Sequence, residues 1–193
     1  MSGEQRLTMI HTDQLTKMFG DFTAVNAISF EVAQGEIFGF LGANGAGKTT
    51  AMKMLTGLLT PTKGNAHVAG FDVYEQPDEI KKNIGYMSQK FSLYEDLTVR
   101  ENIDFYGNIY GIQPDALSEK REQLIRRLGL ESMADERIES LPLGWKQKLA
   151  FSVAILHDPK IIFLDEPTGG VDPVTRRQFW EMIYEAADVG TTV

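Results

Sequence analysis

The chain has no cysteine among its 193 residues. That excludes a disulfide framework and any thiolate metal site, and it suits a reducing compartment such as the cytosol. It also lacks any apolar run approaching the ~18 residues that a membrane-spanning helix needs. The N-terminal MSGEQRLTMI has no apolar centre of the kind a secretion signal carries. Basic residues are in deficit. Nineteen Lys and Arg against 27 Asp and Glu leave a net charge of −8, which argues against a general nucleic-acid binder. There is no internal repeat and no low-complexity tract. What is present is a hydrophobic content of 42%, enough for a globular domain with a real core.

The densest chemistry is the stretch GANGAGKTT, Gly42–Thr50. It fits G-x-x-x-x-G-K-[ST] at Gly42, Gly47, Lys48 and Thr49. The job of such a loop is to wrap backbone around a polyphosphate. Gly42, Gly45 and Gly47 permit close approach, and the N–H groups of Ala43, Asn44, Ala46 and their neighbours form an anion nest. A helix starting at about Gly47 adds the unpaired N–H groups of Lys48, Thr49 and Thr50 and its positive dipole end. Lys48 then reaches the β/γ-phosphates and the Thr49 hydroxyl holds Mg²⁺. The flanks fit. Gly35–Leu41 reads as a buried strand, and Met52, Leu55, Leu58 and Leu59 predict a helix up to Pro61. A glycine-rich connection that binds nothing is the alternative, and Lys48-Thr49 in this context speaks against it.

The rest of the chain alternates strands and helices. Leu7–Leu15 and Ala24–Val32 read as strands about a turn at Gly20-Asp21, Gly64–Gly70 as another, and Ile84–Met87 as one running into Ser88-Gln89. Thr98 and Glu101 form a capping box for a helix whose stripe is Val99, Ile103, Tyr106, Ile109 and Tyr110. Helices over Asp115–Leu128 and Trp145–Leu156 follow, so residues 92–157 read as a helical insert between α/β segments 1–91 and 158–193. The strand Ile161–Leu164 resumes the sheet. Asp172-Pro173 opens a helix carrying Phe179, Ile183 and Ala186, Gly190 stops it, and Thr191–Val193 begins one more strand. Ile161–Leu164 is apolar throughout and ends in Asp165-Glu166, where ligands of a parallel sheet sit. Asp165 suits Mg²⁺, and Glu166 suits orienting or deprotonating an attacking water. A solvated acidic turn is the alternative for this pair taken alone.

The ordered set resembles the nucleotide-binding domain of ABC transporters over essentially the whole chain. The set is the phosphate loop, Gln89, the helical insert, LPLGWKQ at Leu141–Gln147, and IIFLDEPTGGVD at Ile161–Asp172. The resemblance implies a single ABC ATPase domain of the P-loop NTPase class: a RecA-like parallel α/β core, an N-terminal antiparallel β part and the inserted helical subdomain. It implies MgATP as ligand, Phe19 as the adenine-stacking aromatic, and Gln89 as a glutamine that touches Mg²⁺ and senses a membrane partner. Glu166 becomes the catalytic glutamate, and Gly170-Val171-Asp172 the loop that meets a second cassette, in a homo- or heterodimer. The partner implied is a permease, with the domain on the cytoplasmic face of the membrane. AGFDV at Ala69–Val73 and the run from Gln89 to Gly107 look most like the drug- and ion-exporting ABC-2 group.

Two departures qualify that pattern. The family signature is usually LSGGQ; here Pro142 stands at the Ser position and Leu143 at the first Gly, so only Gly144 of the trio is kept. Proline brings neither hydroxyl nor N–H. The family's switch histidine is expected beyond Thr191–Val193, since His11, His67 and His157 lie elsewhere. On this reading the chain is truncated, binds MgATP and hydrolyses it poorly by itself. Two other classes stay open: a soluble ABC ATPase acting on ribosomes or DNA, and a regulatory cassette of low turnover.

Overall fold

The computed structural model describes residues 7–43, 45–88 and 93–193. The chain divides into two compact units. The first comprises the chain up to Gly85 with Lys160–Phe163 and Ile183–Val193; the second comprises Tyr86–Pro159 and Leu164–Met182.

The first unit opens on a long hairpin. β1 (Thr8–Phe19) and β2 (Phe22–Ala33) pair antiparallel about Gly20-Asp21, with Phe19 opposite Phe22. After the phosphate loop, α1 (Lys48–Leu55) lies against β2 and the next strand, β3 (Lys63–Val68). β3 pairs with β1 and with the short β4 (Phe71–Asp72), giving an antiparallel sheet of order β2-β1-β3-β4. Leu15, Val32, Met54, Leu55, Ala66 and Val68 are buried at its centre. α2 (Pro77–Asn83) begins with Pro77, whose missing N–H costs nothing in a first turn. It leads into β5 (Ile84–Met87), which pairs with β6 (Ile161–Leu164). The segment at Thr192 accepts from Ile162 N and donates to Lys160 O, and Val193 does the same with Phe38 N and Glu36 O. One residue bonding to two that flank its opposite number is the parallel pattern.

In the second unit, α3 (Val99–Ile109) starts from a complete capping box between Thr98 and Glu101. α4 (Pro114–Leu128) ends at Gly129, whose φ of 67° lets Leu130 N reach Ile125 O. α5 (Leu143–Ala154) packs with α3 and α4 around Val99, Ile103, Leu117, Ile125, Leu149 and Phe151. α6 (Pro173–Asp188) begins in this unit, where Phe179 meets Phe151 edge-on at 5.3 Å, and ends in the first.

Two elements depart from the sequence reading. Gly35–Leu41 is not a strand: its bonds to Val193 stop at Phe38, no ladder continues beyond Gly39, and Leu41 is 96% exposed. Phe38 and Phe40 instead pack on Phe30, with ring centroids 5.0 and 5.4 Å away. The helix expected to reach Pro61 ends at Leu55. Gly57, at φ 69°, turns the chain so that Gly57 N bonds Met54 O and Leu58 N bonds Lys53 O. That closing pair of bonds stops a helix without proline.

Asn102 is fully buried on α3. Its Oδ1 accepts from Tyr94 N at 2.9 Å, and its Nδ2 donates to Tyr94 O and Thr98 O, both at 3.0 Å. The side chain thus pins the segment before α3 to the helix. Asn102→Ala strands those backbone groups and is expected to cost about 2–3 kcal/mol of unfolding free energy. Urea titration reads the shift; an unchanged midpoint would show that the pinned segment rearranges freely.

Candidate nucleotide site

The loop Gly42–Thr50 belongs to the first unit, apart from Asn44, which lies outside the described residues. Gly47 caps α1 with φ 85°, and a Cβ there would stand 2.2 Å from Ala24 O. No side chain fits, so this glycine is fixed both by conformation and by contact with β2. Gly45 differs: its φ is 81°, but nothing lies within 4 Å of its Cβ position, so only the turn requires it. Ala46 N bonds Ala43 O at 3.1 Å and closes the loop. The N-cap residue Gly47 makes no side-chain cap bond and no acid sits in the first turn of α1. A helix N-terminus of this kind suits an anion.

Lys48 lies back over this loop. Its Nζ donates to Gly42 O at 2.8 Å and to Ala43 O at 3.0 Å. Two carbonyl oxygens thus hold the ammonium at the entrance to the nest. Thr49 and Thr50 follow in the first turn. The hairpin that touches Gly47 at Ala24 presents Phe19 at its tip, 51% exposed, with Lys17 Nζ 5.3 Å from the ring centroid. Its cross-strand neighbour Phe22 is 65% exposed. The sequence reading singled out Phe19 alone. The pairing about Gly20-Asp21 is the signal that puts a second aromatic beside it.

Asp165 and Glu166 follow β6 and belong to the second unit. Asp165 N bonds Met87 O at 2.9 Å, which fixes the start of the turn. Burial raises the pKa of the nearby Tyr86 phenol, and the Asp165 charge adds to that. Glu166 is exposed and adopts φ 50°, a left-handed conformation uncommon for a residue with a Cβ. Gly169 N closes the turn on Glu166 O at 3.2 Å. Gln89 lies outside the described residues.

The signature segment is also in the second unit. Pro142 is the N-cap of α5 and supplies no side-chain bond. Gly144 sits in the first turn beside Thr175 of α6. A cavity of about 350 Å³ opens here, lined by Leu143, Gly144, Trp145, Lys148, Asp172 and Thr175 among others. Lys148 Nζ stands 4.7 Å from the Trp145 ring centroid. Asp172 caps α6 as expected, accepting from Val174 N and Thr175 N at 2.9 and 3.0 Å. The Thr175 hydroxyl and these N–H groups hold its carboxyl below the usual range. Thr175 carries no part of the sequence reading. Its position three residues after a helix-capping Asp is the signal that was there to be used.

The sequence profile of the ABC transporter family matches residues 25–169, and the chain belongs to that family. It is an ATP-binding cassette with the P-loop NTPase fold, the class whose chemistry is ATP hydrolysis. It is 49% identical over 186 residues to the Escherichia coli K12 protein named probable multidrug ABC transporter ATP-binding protein YbhF. That match takes 96% of this chain and 32% of the relative, so the chain spans about a third of its length. The linearmycin resistance ATP-binding protein LnrL of Bacillus subtilis is 34% identical over 96% of the chain and 60% of its own length. Among solved structures, the ATP-binding subunit of an ABC transporter superposes with a TM-score of 0.83 at 27% identity, over 95% of this chain and 77% of that one. CbiO1 of Clostridium perfringens superposes with a TM-score of 0.84 at 25% identity, over 96% and 76%.

Proposed function

We propose that this domain binds MgATP on Gly42–Thr50 and drives an exporter in the membrane by closing on a second ATP-binding cassette. The observation that carries the reading is the loop itself. Gly47 is sealed against Ala24 and caps α1 without a side chain, and Lys48 is held by carbonyls at the loop's rim. Phe19 supplies an exposed ring for the adenine, and Gly144 contributes its backbone to nucleotide on the second cassette. The family resemblance names Thr49, Asp165 and Gln89 for Mg²⁺, and each brings an oxygen, the donor this hard cation takes. A magnesium ion takes one or two carboxylate or hydroxyl ligands and completes its shell with phosphates and water. When bound it neutralises charge on the phosphates. Glu166 orients the attacking water, and Lys48 with the loop N–H groups stabilises the charge that develops.

The division into an α/β core of 1–91 and 158–193 and a helical part of 92–157 carrying the signature is part of the same reading. Export of drug-like compounds is supported by the similarity to relatives named for multidrug transport and linearmycin resistance. No helix among the described residues is long and apolar enough to cross a membrane. On the family resemblance, the domain works at the cytoplasmic face of the membrane, through a permease. A low-turnover regulatory cassette is the second reading, favoured by Pro142, which gives α5 no side-chain cap. Turnover at saturating ATP separates the two.

The permease contact is placed on the segment after Gln89. Phe91 lies outside the described residues, and Leu93 is 7% exposed and belongs to the core. Tyr94 remains 44% exposed and packs edge-on to Phe105 at 4.6 Å. Burial pushes neighbouring Tyr106 up to about 12, with Tyr94 and Tyr110 adding to it, so this aromatic face stays uncharged at neutral pH. A cysteine at Tyr94 in the intact transporter is expected to crosslink to a cytoplasmic loop of the permease. Crosslinking confined to other faces of the domain would refute the placement.

A further inference from the structure

We propose that Thr175 is a positioning residue that ties the signature turn to the loop before α6, so that Gly144 is required by a neighbouring side chain as well as by any phosphate. The proposal rests on the functional reading above, in which both turns face the second cassette. A Cβ built on Gly144 would lie 2.8 Å from Thr175 Cγ2 and 3.1 Å from Thr175 Oγ1. The first distance is shorter than real Cβ contacts allow, and threonine cannot easily turn aside. It is β-branched, and its hydroxyl is committed: Oγ1 donates to Asp172 Oδ2 at 2.5 Å. Asp172 in turn is held by the N–H groups of Val174 and Thr175.

The two helices therefore begin in fixed register. One face of Thr175 fills the space that Gly144 leaves, and the other anchors the Gly170–Asp172 loop. A turn further on, Lys148 Nζ donates to Gln178 Oε1 at 2.7 Å, a second strap between α5 and α6. Pro142 offers neither hydroxyl nor N–H, so the backbone at Leu143-Gly144 is what this signature has left to present. Its position depends on a side chain outside the motif. A shift of the Asp172 loop would carry the signature turn with it.

The test is a set of variants in the intact transporter, read by kcat, by KM for ATP and by ATP affinity at equilibrium. Gly144→Ala is expected to lower kcat at least about tenfold through misplacement. Removing the clashing methyl should relieve it: Gly144→Ala/Thr175→Ser is expected to return to within about threefold of Thr175→Ser alone, the non-additivity of two residues in contact. Thr175→Val keeps the methyl and loses the hydroxyl. It is expected to lower kcat with KM and ATP affinity unchanged, whereas Thr175→Ser keeps the hydroxyl and stays near the parent. An unchanged thermal unfolding midpoint in every variant shows that folding is intact. A double variant as slow as Gly144→Ala, or Thr175→Val as fast as the parent, overturns the proposal while leaving the functional reading in place. A parent that does not turn over ATP overturns both.

Discussion

Replacing Lys48 by alanine is expected to weaken MgATP binding by at least ~1.5–3 kcal/mol, roughly ten- to 150-fold in Kd. Lys48 is the one cation in Gly42–Thr50. Its ammonium is held at the loop entrance by Gly42 O and Ala43 O, at 2.8 and 3.0 Å. Those carbonyls keep the charge where phosphate arrives, and the exchange of carbonyl for phosphate oxygen is a gain in charge–charge attraction. The alanine variant also loses the two bonds that tie the loop in the absence of nucleotide. Calorimetry on both proteins measures the difference. Equal affinities would remove Lys48 from the phosphate site.

Glu166→Gln is expected to do the opposite: to leave ATP affinity within about twofold and to lower turnover by about 10²–10³, the scale of a lost general base. Glutamine keeps the shape of the side chain and removes its charge and basicity. The position is suited to a residue that acts on water. Glu166 is exposed at the end of an apolar strand, and a left-handed backbone at φ 50° sets the direction of its side chain. Phosphate release at saturating ATP, set against an equilibrium titration, separates binding from chemistry. A variant as fast as the parent would leave the base unassigned.

The parts that were legible in the sequence are those decided locally. The Thr98–Glu101 capping box, the Asp172 cap, the Gly190 stop and the strand Ile161–Leu164 depend on a few neighbouring residues, and each is found where the sequence puts it. The parts that were not legible depend on distant partners. Gly35–Leu41 has the composition of a buried strand, but its ladder is confined to Val193 and ends at Phe38. Pro61 is a local stop signal for α1, but Gly57 ends the helix first.

In the site the same division holds. The glycines and Lys48 of the loop are recognisable by spacing alone. That Gly47 is closed off by Ala24 O, and that Phe22 stands beside Phe19, follow from a hairpin whose register no short window contains. Asn102 was within reach, since it shares the helical stripe of Val99, Ile103 and Tyr106; a polar residue on such a stripe signals a buried hydrogen-bond hub. The Asp172 cap marks Thr175 in the sequence, but its contact with Gly144 needed the α5–α6 packing.

Amide hydrogen exchange with and without MgATP tests the central claim most directly, because the nest is made of backbone N–H groups. Saturating MgATP is expected to slow exchange at Gly45–Thr50 and at the hairpin tip around Phe19, and AMP, which lacks the β- and γ-phosphates, is not. Lys48→Ala should lose that protection at the same ATP concentration. Unchanged exchange at Gly45–Thr50 under saturating ATP, or protection confined to other segments, would contradict the assignment of this loop as the nucleotide site.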